Sequence, residues 1–577
     1  MTAAPAGPSA ATITVAETLD LLEGPFAAVA RGVADGRYVL WLGSGISRDR
    51  LPGLRELILK VLTFLHSRID TGSCDCPYRS ALERAVEMAS LHPDERAQFE
   101  LADAPATWPV IDRVVDGLWE HYSQLLDMLV EGEEVDHLLW DAVDVRDTYG
   151  RGIDPDCEHL CVGMLVLEGA MTEATTPNWD GLIEAGIKEL AGDADAVVRV
   201  VVLPADLREP ERQLTLVKFH GCAVLAARDP DKYRPALVGM RSQITTWNTR
   251  GETKPIRDRL VSLATTKPTL MIGLSAQDEN IQRLFAEARE SMSWSWPSDP
   301  PAHVFADEQL GIDHVNILRV VYGDDYAANN AEIQQGALIR AYSKPLLTAL
   351  VLFVLAEKLR AYLAEADAPL LPAADREQLA DGLAGICHRV AAAAEPDRLG
   401  FIRGLAARQR RALALFQDGK EPAAAEPAYR RLGNLPAHRV RTDPALSTSG
   451  VRELAAALAL LGRGEMAGSW SLDIGDVASG AEGVVKVTSS GSETAVFFTA
   501  NARAAVWLEA QGVVDRDAQD VVLVHSTGPV EPAARSPRGR YGRTGRVGVR
   551  EVDMCELLRT APDLATLEDG FRHAAVL

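Results

Sequence analysis

Tyr38-Val39-Leu40-Trp41-Leu42-Gly43-Ser44-Gly45-Ile46-Ser47 is the stretch of this chain whose reading decides the fold. The first five residues are a continuous apolar run, the pattern of a strand covered on both faces. Gly43-Ser44-Gly45 then turns the chain, and Leu54, Leu57, Ile58, Val61, Leu62 and Leu65 recur at helical spacing. Strand, glycine turn and helix predict the first unit of a parallel sheet with helices on its faces. A turn of this kind lets the backbone approach a pyrophosphate while amide N–H groups and the helix dipole attract its charge. The same residues also make an ordinary tight turn. The third glycine of the dehydrogenase fingerprint is missing, which disfavours a hydride-transfer site.

Working outward, further strands are predicted at Ala170–Thr175, Val197–Leu203, Leu214–Phe219, Thr269–Leu274, His303–Ala306 and Val315–Tyr322, with helices between several of them, notably 180–190 and 279–291. Alternating strands and helices predict an α/β fold with a parallel sheet covered by helices on both faces. Residues 1–35 read as a helical lead. Residues 36–345 form the sheet domain, with an acidic helical insertion over about 70–167. Residues 346–430 form a helical segment and linker, and 431–577 a small C-terminal α/β module with strand signals at 483–487, 494–498 and 521–525.

Composition narrows the classes. The chain has 577 residues, 47% hydrophobic and 24% charged, with 59 basic against 82 acidic residues and a formal charge of −23. Such an excess repels polyanions, so nucleic acid or anionic lipid requires a local patch. The longest apolar run, Leu346 to Ala356, falls short of the ~20 residues of a membrane span. Residues 1–13 lack the basic and apolar regions of a secretory signal, and the expected location is cytoplasmic. Seven scattered cysteines fit reduced thiols. Cys74-Asp75-Cys76 and Cys157-Glu158-His159-Leu160-Cys161 have spacings poorly suited to zinc, and no metal is expected.

Three further strings end predicted strands. Thr176-Pro177-Asn178-Trp179-Asp180 leads into a helix, where Asn178 or Asp180 also serves as an N-cap. Lys218-Phe219-His220-Gly221 carries a histidine that is either a base or a core residue. Gly273-Leu274-Ser275, with Asp278 and Asn280, hydrogen-bonds a ribose or caps the next helix.

Taken in order over about residues 36–359, these strings resemble the sirtuin superfamily, and more closely its bacterial NAD-consuming branch, which implies a Rossmann-like sheet that binds NAD with a helical module beside it. The resemblance implies that Gly43, Ser44, Gly45 and Ser47 hold the phosphates and nearby ribose. It places Asn178 and Asp180 by the nicotinamide ribose, makes His220 the base, and sets Gly273 and Ser275 on the adenosine side. Two departures weigh against protein deacylation. Pro177 stands where deacylating sirtuins carry a glutamine, and only Cys222 follows the His-Gly pair where a zinc ribbon is expected. Tyr233-Arg234-Pro235 resembles their peptide-binding stretch only faintly.

The expected activity is therefore cleavage of NAD to nicotinamide and ADP-ribose, with a protein deacylase or ADP-ribosyltransferase, and a non-catalytic NAD-binding regulator, as the alternatives. The resemblance further implies a triggered anti-phage effector, homo-oligomeric, with an ATPase or Argonaute-like partner or a phage trigger protein. Arg535, Arg538, Arg540, Arg543, Arg546 and Arg550 recur in a run without acids and give the one place for nucleic-acid or phosphate contact. A solvated loop explains the same run.

Overall fold

The computed structural model describes residues 8–73, 75–292, 294–473, 483–515, 517–526 and 549–577. Seven strands build its main sheet: β1 (Val39–Leu42), β2 (Glu173–Thr176), β3 (Val198–Val201), β4 (Leu214–Lys218), β5 (Thr269–Ile272), β6 (His303–Ala306) and β7 (Leu338–Ile339). They run parallel throughout, in the order β3-β4-β2-β1-β5-β6-β7. β1 is central, and its four residues are all buried, as an apolar run flanked by helices on both faces must be. This is a Rossmann-like α/β fold, and the alternation of strands and helices predicts its parallel sheet.

The order places the functional edge. The chain leaves β1 towards β2 on one side, and leaves β5 towards β6 on the other. Connections that diverge from adjacent strands open a crevice at their carboxyl ends, here between the loop after Leu42 and the loop after Ile272.

One predicted element changes type. Val315–Tyr322 reads as a strand from its apolar, β-branched run, but it lies in a helix, Ile312–Tyr322. Its buried residues His314, Ile317, Leu318, Val321 and Tyr322 are spaced by three and four. The entry is fastened by Gly311 N–H donating to His314 Nδ1 at 3.2 Å. The sheet instead takes β7, whose two residues are too few to show a pattern.

Above the sheet, the helical insertion has a core of its own, running from Ile58 to Tyr149 and taking in Ala223 and Met240. The helix Cys157–Leu167, buried along its whole length, packs with the sheet. The same core includes residues of the N-terminal helices Val15–Glu23 and Ala27–Ala34 and of the long helix Ser343–Ala364. Beyond it, β8 (Ser471–Asp473), β9 (Val485–Ser489), β10 (Ser492–Thr499), β11 (Val521–His525) and β12 (Arg550–Asp553) form a second, mixed sheet in the order β12-β11-β10-β9-β8. β10, β11 and β12 are parallel, and β8 and β9 antiparallel to their neighbours.

A buried ion pair ties these regions together. Lys358, on the long helix, is fully buried and donates to the Glu168 carboxylate, to Glu168 O at 2.9 Å and to Gly433 O at 2.7 Å. Glu168 also accepts from Leu432 N–H at 3.0 Å and Gln409 Nε2 at 3.2 Å. Such a pair fixes geometry rather than adding much stability, because desolvation offsets its attraction.

Of the arginine run, Arg550 opens β12, while Arg535, Arg538, Arg540, Arg543 and Arg546 lie outside the described residues, as does Cys74. Among the described residues, no helix is long and apolar enough to cross a membrane, and no group of three His, Cys, Asp or Glu could hold a metal.

Candidate active site

The crevice starts from glycine contacts. Gly43 N–H continues the β1–β5 ladder, donating to Ile272 O at 3.0 Å, and Gly45 N–H donates to Gly273 O at 2.9 Å. A Cβ on Gly43 would lie 2.2 Å from Gly273 O, and one on Gly45 2.6 Å from Gly273 Cα. These are backbone-to-backbone approaches that no side chain permits. Gly273 itself has φ +64°, a left-handed conformation that favours glycine. The turn and the Gly273 loop are thus one packed unit, which leaves Ser44 and Ser275 exposed on it.

Asn178 and His220 occupy matching places. Thr176 pairs with Lys218 in the β2–β4 register, so each of the two lies two residues beyond the carboxyl end of its strand. Asn178 Nδ2 donates to Gly43 O at 3.1 Å, fastening it to the glycine turn, and its N–H donates to Thr176 Oγ1 at 3.0 Å. Its Oδ1 keeps an acceptor facing away from that anchor. Gly221, at φ +97°, lets the chain turn directly after His220, where a Cβ would meet Ala236 O at 2.8 Å.

His220 is buried, and its ring packs edge-on to Phe219 and Trp247. Its Nε2 lies 3.1 Å from Asp278 Oδ2 but is not aligned for a hydrogen bond, so the attraction is Coulombic. Burial lowers the imidazole pKa and Asp278 opposes this, leaving the ring neutral near pH 7. Asp278 has two tasks, since its Oδ1 also accepts Asn280 N–H at 2.8 Å and caps the helix Glu279–Ser291.

Asp180 is held on every side. Its Oδ1 accepts Leu182 N–H at 3.1 Å and its Oδ2 the Ser47 hydroxyl at 3.3 Å, while its main-chain oxygen accepts from the buried Lys218 ammonium. Lys218 pairs with Glu184 at 2.6 Å. Ser47 is 2% exposed and also meets His159 Nε2 at 3.2 Å, so its hydroxyl is engaged within the protein.

The structure therefore brings Gly43, Gly45, Ser47, Asn178, Asp180, His220 and Gly273 to one sheet edge. Sequence reasoning did not assign His159 to it, nor Asp278 as the partner of His220. It also did not single out two tyrosines of the insertion. The Tyr149 phenol is pushed up by burial and by Asp180, and the Tyr122 phenol by burial and by Asp278. Tyr149 is buried with its ring edge-on to Trp179, the neighbour of Asp180, and so sets the insertion beside the site. No local pattern marks these residues, because each contact joins distant parts of the chain.

Residues 172–311 match the family model of the SIR2-like domain. The match takes in β2 to β6 and the loops bearing Asn178, His220 and Gly273, and the Gly43–Ser47 turn precedes it. Residues 172–311 thus carry a SIR2-like domain. No curated protein matches the chain.

Proposed function

We propose that the chain is an NAD glycohydrolase that cleaves NAD to nicotinamide and ADP-ribose. The observation that carries this reading is the placement of Asn178 and His220 at equivalent positions on adjacent strands, with Asn178 bonded to the glycine turn. The nicotinamide of NAD leaves as a neutral ring, so its departure needs no general acid. What the reaction needs is a water aimed at the oxocarbenium-like ribose and an acceptor for that water's proton. Asn178 Oδ1 orients the water, and neutral His220 takes the proton, directly or through a ribose hydroxyl.

The glycine turn and Gly273 loop would hold the pyrophosphate and adenosine side through backbone N–H groups and the exposed Ser44 and Ser275. Pro177 and the lone Cys222 favour water over an acyl-lysine as the acceptor. The wider reading, a triggered and oligomeric anti-phage effector that depletes NAD, rests on the sirtuin resemblance. The test is release of nicotinamide and ADP-ribose from NAD by the full chain without an acylated peptide. Asn178→Ala and His220→Ala are both expected to lose that release, and release that requires an acylated peptide would replace hydrolysis with deacylation.

A further inference from the structure

Behind the glycine turn runs a chain of buried hydrogen bonds. The Asp156 N–H donates to His159 Nδ1 at 3.1 Å, which leaves that nitrogen without a proton. His159 Nε2 therefore carries the hydrogen and donates it to Ser47 Oγ at 3.2 Å, and Ser47 passes its own hydrogen to Asp180 Oδ2 at 3.3 Å. His159 is 0% exposed, Ser47 2% and Asp180 5%, so no solvent competes for these bonds. Each donor and acceptor has one assignment.

We propose that His159 is a positioning residue that pins the glycine turn to the Asp180 loop, and that Ser47 serves this pin instead of binding phosphate. The proposal rests on the reading of the crevice as the NAD site. Ser47 ends the turn whose first residue anchors Asn178, and Asp180 lies two residues beyond Asn178. The Ser47–Asp180 bond, with the Ser47 hydroxyl oriented by His159, thus ties the turn that anchors Asn178 to the loop that carries it. Burial lowers its imidazole pKa to about 4, so the ring is neutral at pH 7. The pin also reaches outside the SIR2-like match. The Asp156 carboxylate meets Lys344 at 3.0 Å and Arg50 at 3.4 Å, and Lys344 lies in the first turn of the helix Ser343–Ala364.

The test compares His159→Leu, His159→Gln, Ser47→Ala and the double variant His159→Leu/Ser47→Ala in the full chain. Histidine tautomers are read by NMR on 15N-histidine-labelled protein. His159→Leu and Ser47→Ala are expected to lower kcat about 10-fold or more with KM for NAD changed less than about 2-fold, since position is lost and phosphate contacts are kept. Glutamine retains a donor near Nε2 and restores most of kcat. The double variant is no worse than the single ones, as for residues acting through one bond. Unchanged kcat in His159→Leu, multiplying losses in the double variant, or a rise in KM alone on Ser47→Ala would overturn the proposal. If the wild-type chain releases no nicotinamide, the hydrolase reading fails by itself, and the tautomer decides the pin. An Nε2–H resonance lost in His159→Gln and shifted in Ser47→Ala supports it; an Nδ1–H tautomer refutes it.

Discussion

Replacing Asp278 by asparagine should move the acid limb of NAD cleavage to lower pH. The substitution is nearly isosteric, and an asparagine oxygen can still accept the Asn280 N–H that caps the helix, so the loop keeps its anchor. What disappears is one negative charge 3.1 Å from His220 Nε2. An opposite charge at this range raises a histidine pKa by about 1–3 units. The ring nitrogen is not aligned for a hydrogen bond, so the substitution removes a Coulombic attraction alone. Burial is the larger influence and acts downward, with Asp278 opposing it. In the wild type the base is therefore neutral at pH 7, and the rate falls as the medium is acidified below the usual histidine pKa of ~6.5. Without Asp278 the same fall comes at still lower pH. The assay is kcat/KM for nicotinamide release from about pH 4 to 8, in wild type and Asp278→Asn. A limb that stays in place or moves upward would refute the assignment of His220 as base and of Asp278 as its partner.

Other consequences concern the fold and its ionisation. Gly45→Ala places a Cβ 2.6 Å from the Gly273 backbone, so the two loops must separate. NAD binding by calorimetry should weaken sharply, and stability in urea should drop by about 1–3 kcal/mol. Glu158, buried beside Ser343, has its carboxyl pushed up to about 7 by burial, so the folded state favours the protonated form and loses stability as pH rises through 7. Glu158→Gln should therefore raise the thermal midpoint at about pH 8 and leave it nearly unchanged at about pH 4, below the unfolded carboxyl value. His159 and His303 are held neutral by burial, with pKa values lowered to about 4 and about 3. Their contribution to stability is complete above the unfolded value of ~6.5 and is lost as pH falls towards 4 and 3, which denaturant titrations along that range will show. Lys358→Met strands the buried Glu168 carboxylate and should cost about 3–5 kcal/mol, with Glu168→Gln/Lys358→Met recovering much of the loss.

The glycine turn and the strand ends were legible because their signals are local. An apolar run closed by Gly43-Ser44-Gly45 reads as a buried strand and a turn, and glycine has a role there that the Gly273 backbone makes plain. The run Val315–Tyr322 misled because short apolar stretches fit both periods, and the helix is settled by its Gly311–His314 cap and its packing. β7 and β8 are too short to carry a pattern. Asp278 reads as a helix cap and is one, but its ion pair joins it to a loop that the chain reaches through β4. His159 lies 112 residues from Ser47, inside a stretch whose cysteines suggest metal before they suggest a hydrogen-bond chain. Local spacing cannot report such a contact, which the parallel order of the strands creates.

The most direct measurement is the stoichiometry of products from NAD incubated with the full chain alone, resolved by chromatography. The account predicts equal amounts of nicotinamide and ADP-ribose, abolished by His220→Ala and by Asn178→Ala with both variants still folded. Bound NAD left uncleaved, or nicotinamide released only when an acylated peptide is added, would contradict it.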